Sequence, residues 1–152
     1  MKQFPVIPLI AFVGFFAIVL LHHHQRNRAI RELAKRLHFT YLGAALPKSL
    51  SFRSSTLAPV TGVWNVIDGD RLGIRVVAFD CRVGYGKASW RRTVIAAQST
   101  GEVFGVAKFN KDLTVEKCGD WTLLYRPRGL RFIIRGLMEL SELEANLSAI
   151  PS

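Results

Sequence analysis

The 152-residue chain carries 21 Lys and Arg against 11 Asp and Glu, a net charge of +10, and 49% of it is hydrophobic. An N-terminal hydrophobic run and its basic flank take about 40 residues, leaving roughly 110, enough for one compact domain and not two. Cys81 and Cys118 form no CxxC pair and no repeated spacing, so the sequence offers no thiolate metal framework.

The first stretch, Phe4 to Leu21, has no charged residue over 18 positions. At 1.5 Å rise per residue it spans roughly 27 Å, close to the ~30 Å hydrocarbon core of a bilayer, and this predicts a transmembrane helix with residues 1–24 as an anchor. Pro5 and Pro8 fall in its first turns, where a missing N–H is tolerated. A cleavable leader would end in a small-x-small site, whereas this run meets His22, His23, His24, Gln25 and Arg26. Before the run stands Lys2; after it come Arg26, Arg28, Arg31, Lys35 and Arg36, opposed by Glu32. Because positive flanks stay inside, a single-pass inner-membrane protein is expected, with its N-terminus out, its domain cytoplasmic and both cysteines reduced. Had the domain faced outward, the two cysteines would be free to pair.

Residues 25–39 read as a basic amphipathic helix. Ile30, Leu33, Ala34 and Leu37 recur at helical spacing opposite Arg28, Arg31, Lys35 and Arg36. Its apolar side packs on the domain, or its five cations, Arg26 included, contact a membrane surface. Residues 40–62, with Pro47, Pro59 and five Ser or Thr between 49 and 56, read as an irregular connector.

From Val63 the period changes to that of strands: 63–67, 74–83, 91–99, 103–109, 113–117, 121–126 and 130–135 are β-branched or aromatic and separated by turn residues, DGDRLG at 68–73 among them. Ser141 with Glu144 fits a capping box, and Leu140, Leu143, Leu147 and Ile150 give one apolar face, so residues 139–150 read as a C-terminal helix. The expected fold is α+β: a transmembrane helix, a basic helix, then an antiparallel meander of about seven strands in residues 63–152, closed by the C-terminal helix. That element order resembles pleckstrin-homology-like domains; a more open sheet with flanking helices satisfies it equally. The hairpin around Asn65, Val66, Gly69, Val76, Phe79 and Asp80 and the run RRTVIAAQ at 91–98 also resemble uncharacterised bacterial membrane-anchored proteins. That resemblance implies no catalytic residue.

The chemistry-bearing residues exclude more than they assign. No histidine occurs after His38, which removes Ser-His-Asp and Cys-His pairs from the β region. Consecutive His22, His23 and His24 splay around a helix and do not converge on one ion. GYGKAS at 84–89 lacks the spacing and hydroxyl of a phosphate-binding loop and precedes a strand. What survives is a loop bordered by Tyr85, Lys87, Trp90, Arg91 and Arg92, a candidate site for an anion held by charge and stacking. Turn residues Asp68 and Asp70 cap their own backbone, and Trp64, Trp90 and Trp121 read as packing. No catalytic residue, metal or cofactor is expected. The sequence points to a non-enzymatic binding or scaffold module whose partner is an anionic lipid head group or a protein. An enzyme using carboxylates or Cys81 is the alternative, and a nucleic-acid-binding module has no motif to carry it.

Overall fold

The computed structural model describes residues 6–98, 112–127 and 136–150. Its elements are α1 (Val6–Arg36), β1 (Thr40–Gly43), β2 (Val60–Arg71), β3 (Ile74–Val83), β4 (Trp90–Gln98), β5 (Thr114–Cys118), β6 (Trp121–Tyr125) and α2 (Leu140–Ala149). The strands make one antiparallel sheet in the order β1-β2-β3-β4-β6-β5. Both helices lie on one face of it, and residues 44–59, which we call the strap, cover the other.

Two apolar sets, separated by strand alternation, build these layers. On the helix face Ile30, Leu33 and Ala34 of α1 and Leu143 and Leu147 of α2 pack on Ile67, Val76, Ala78, Ile95, Ala97 and Leu124. On the strap face Leu50 and Leu57 pack on Val77, Phe79, Val94, Leu123 and Trp121, with Phe52 tilted against Phe79 at 5.6 Å between ring centres.

The fold differs from the sequence reading in several places. The hydrophobic run and the basic helix are one 31-residue helix. Among the described residues no helix is long and apolar enough to cross a membrane. Phe12, Phe15, Phe16, Ile18, Val19, Leu20 and Leu21 stand exposed on this helix. The polar residues that follow lead straight to Arg26, which is bound to the sheet. The predicted transmembrane helix is therefore corrected, and with it the single-pass inner-membrane placement and the cytoplasmic topology derived from it.

The connector contains β1, because α1 ends in a tight reversal. His38 takes a left-handed conformation (φ 58°), Phe39 N–H donates to the Ala34 carbonyl at 2.8 Å and His38 N–H to that of Lys35 at 3.2 Å. This helix-stopping motif buries Phe39 and feeds the chain directly against β2. The predicted turn at 68–73 shrinks to Leu72-Gly73, both with positive φ, as a two-residue hairpin requires; the strand continues through Arg71. The sheet is not a simple meander, since β6, not β5, pairs with β4. Among the described residues it forms one layer, in an order unlike the plain meander of the pleckstrin-homology-like expectation. Six strands are described; the predicted strands at 103–109 and 130–135 lie outside the described residues. The capping box does not form: α2 begins after Glu139, with no side-chain cap, and Glu144 pairs instead with Arg36 at 3.0 Å.

The hairpin residues quoted above have structural reasons. Between Trp64 and Ile67 the register slips by one residue against β3, a β-bulge in which Asn65 adopts φ 56°. The bulge turns Val66 to the strap face and Asn65 to the helix face. Gly69 lies under the Phe39 ring, where a Cβ would stand 2.2 Å from a ring carbon. Gly69→Ala is expected to cost about 1–3 kcal/mol by overpacking, read as a lower midpoint of urea unfolding; an unchanged midpoint would show that Phe39 moves freely.

Candidate functional site

Asp80 is fully buried on β3, and its carboxylate accepts four hydrogen bonds. Arg26 donates Nε to Oδ2 and Nη2 to Oδ1, both at 2.8 Å. Asn65 Nδ2 donates to Oδ2 at 2.9 Å and Thr93 Oγ1 to Oδ1 at 2.7 Å. Arg26 Nη1 also donates to the Met138 carbonyl at 2.9 Å, Met138 N–H donates to Thr93 Oγ1 at 3.0 Å, and Tyr41 OH donates to Asn65 Oδ1 at 3.2 Å. A buried charge needs this degree of pairing. The network holds α1, β1, β2, β3, β4 and the lead into α2 together, so Asp80 is a clamp with its acceptors in use.

The other carboxylate and thiol candidates also have structural partners. Asp68 holds Arg75 at 2.7 Å, and Asp70 accepts from Gly73 N–H at 2.8 Å. Cys81 is buried between strands; burial, then the neighbouring Asp80 charge, push its thiol up to about 12, which suppresses the reactive thiolate. Cys118 is hydrogen-bonded to the Ser51 carbonyl at 3.1 Å. The two cysteines lie on β3 and β5, three strand spacings apart, or about 14 Å, too far for the disulfide an outward-facing domain would have allowed. Among the described residues no group of three or more His, Cys, Asp or Glu is placed to hold a metal.

The cationic loop divides. Tyr85 and Lys87 stand exposed on a short 3-10 turn, Gly86–Ala88. Strand alternation sends Arg91 to the helix face, over the Trp64 ring at 5.8 Å, and Trp90 with Arg92 to the strap face. Of the helix cations, Arg26 is in the clamp, Arg31 lies over Tyr41 at 4.7 Å, Lys35 pairs with Glu32, Arg36 pairs with Glu144, and Arg28 is exposed.

On the strap face a cavity of about 350 Å³ opens between Thr56 and Leu57 of the strap and the sheet residues Trp90, Arg92, Thr114 and Tyr125, with Pro127 at its border. The volume is in the range of small-molecule sites. Arg92 is 4% exposed and donates to the Arg126 carbonyl; its guanidinium lies 5.9 Å from the centre of the Trp90 ring. Next to the cavity, Glu116 of β5 gathers donors from strap and sheet. Ser55 Oγ reaches it at 3.1 Å, Thr56 N–H and Oγ1 at 2.8 Å each, and Tyr125 OH at 2.5 Å. Burial, followed by the hydrogen bond to Glu116, raises the Tyr125 hydroxyl to about 12, so it stays protonated and donates. Burial works against the Glu116 charge, but the bonds from Tyr125, Thr56 and Ser55 outweigh it and hold its carboxyl below the usual value of 4.5.

Sequence reasoning finds Trp90 and Arg92 and misses Thr56, Thr114, Glu116 and Tyr125. The available signal was the two-residue period of 114–118, which puts Thr114, Glu116 and the buried Cys118 on one face, away from the exposed Val115 and Lys117. Comparison of the chain with protein-family models, curated proteins and solved structures gave no match.

Two outcomes follow. Arg26→Ala leaves a buried carboxylate uncompensated and is expected to cost about 3–5 kcal/mol in denaturant unfolding; a loss below about 1 kcal/mol would mean that the pair behaves as if exposed. Since Glu116 has a depressed pKa, its contribution is present above the unfolded value of 4.5 and is lost as pH falls through the lower folded value. The stability difference between the native chain and Glu116→Gln should therefore be constant above about pH 4.5 and shrink as the pH falls from there through the lower folded value; a constant difference from neutral pH down to about pH 2 would refute the assignment.

Proposed function

We propose that this chain is a non-enzymatic binding module which takes a small acid with an apolar body into the cavity between strap and sheet. The observation that carries this reading is the buried Arg92 guanidinium set beside the Trp90 ring in the wall of a 350 Å³ cavity. A cation largely removed from water favours an anion more strongly than the same cation in full solvent, and the Trp90, Leu57 and Pro127 surfaces suit a flat or aliphatic body. Between an anionic head group and a protein surface as partner, the size of the cavity supports the smaller anionic group. The structural partners of Asp68, Asp70 and Asp80 and the raised thiol of Cys81 count against the enzymatic alternative.

Calorimetric titration of the full chain with benzoate, phenyl phosphate and the uncharged benzyl alcohol tests the reading, with dihexanoyl phosphatidate as the arm that carries a lipid head group. Both aromatic acids should saturate, benzyl alcohol should not, and Arg92→Gln, its fold checked by circular dichroism, should weaken the acids about tenfold or more. Tighter binding of the phosphatidate than of phenyl phosphate would identify a lipid source; equal binding would identify a free acid. The reading fails if no acid binds, or if folded Arg92→Gln binds as the native chain does.

A further inference from the structure

Cys118 and Trp121 hold the Ser51 and Ser49 carbonyls of the strap, and its Ser55–Thr56 end is held to β5 by one carboxylate. Four donors converge on Glu116, from Ser55 Oγ, Thr56 N–H, Thr56 Oγ1 and Tyr125 OH. Two of the residues that supply them, Thr56 and Tyr125, are also cavity wall, and their hydroxyls lie 2.5 Å from each other. The donors that best recognise an acid inside this cavity are thus already bound to an acid belonging to the protein. The Arg92 guanidinium sits close enough to Tyr125 for its charge to favour the ionised phenol, so cation and hydroxyl belong to one electrostatic site.

We infer that Glu116 is an internal competitor for the cavity, an acidic side chain that occupies the Thr56 and Tyr125 donors until an incoming acid displaces it. This rests on the binding reading above and adds its regulation. Binding is then an exchange of carboxylates: the ligand's acidic group accepts from Thr56 Oγ1 and Tyr125 OH beside Arg92, Glu116 swings to solvent, and the Ser55–Thr56 end of the strap loses its hold on β5. Affinity for acids is set low by the protein's own anion, and occupancy is reported by the strap.

A purely structural latch and an internal competitor predict opposite signs. If Glu116 only secures the strap, removing its charge loosens the cavity wall and weakens every ligand. If it competes, removing it frees two donors and deletes a like charge, so acids bind more tightly. The experiment is calorimetric titration of benzoate, phenyl phosphate and benzyl alcohol into the full native chain, Glu116→Gln and Glu116→Ala. The alanine variant removes the carboxylate without presenting an amide to the same hydroxyls, and decides the matter should the glutamine variant not fold. Phenyl phosphate is expected to bind about tenfold more tightly to the folded variants, with a smaller gain for benzoate and none for benzyl alcohol. Unchanged or weaker acid binding by the variants, while the native chain binds acids in an Arg92-dependent way, overturns the competitor and leaves the site. Absence of acid binding by all three chains overturns both.

Discussion

The buried Arg26–Asp80 pair is the constraint from which the rest of the structure follows. A carboxylate with no exposure is tolerated only when its lone pairs are met, and meeting them fixes the position of almost every element. Arg26 sets the depth at which α1 lies on the sheet. Asn65 must occupy the left-handed position of a β-bulge to reach Asp80, and that bulge decides which β2 side chains face helix and which face strap. Thr93 donates to Asp80 and accepts from Met138 N–H, which brings the chain into α2. Replacing the whole network by apolar groups of the same shape could stabilise such a core equally well; what the charges supply is one register.

The clamp and the cavity lie back to back on neighbouring rungs of the same two strands. Asp80 faces Thr93 across β3 and β4, and the next rung pairs Cys81 with Arg92. Because side chains alternate, the first rung points to α1 and the second to the strap. The sheet therefore separates two polar arrangements of different character. On the helix face every acceptor of a buried carboxylate is bound to residues far apart in the chain, which makes a rigid joint. On the strap face a carboxylate of intermediate exposure holds a loop through side-chain and backbone donors that solvent or a ligand can replace.

That contrast bears on function. A site built for binding needs groups whose partners can be exchanged at modest cost, and hydrogen bonds to a partly exposed carboxylate meet that condition while those to Asp80 do not. Asp80 and its neighbour Cys81, the groups an enzymatic alternative would use, are fully committed to structure. The candidate site is instead assembled from threonine, tyrosine, tryptophan and arginine, of which Trp90 and Arg92 alone stand out in a linear reading.

By itself the sequence determined the α+β class, a helical period in residues 25–39, strand periods at 63–67, 74–83, 91–99, 113–117 and 121–126, and the lack of histidine in the β region, because these depend on local periodicity and composition. It also held Trp90 and Arg92 among its candidate residues. It did not determine β1, which forms only because the helix stop at His38 delivers Phe39 and Tyr41 against β2. Nor did it determine that β6 lies beside β4, that Arg91 and Arg92 serve opposite faces, or that the apolar run continues as one helix into a cation clamped to the sheet. Thr56, Glu116 and Tyr125 come together across up to 69 residues of chain. Contacts of that range leave no local period to read, and only the stacking of strap on sheet brings them within hydrogen-bonding distance.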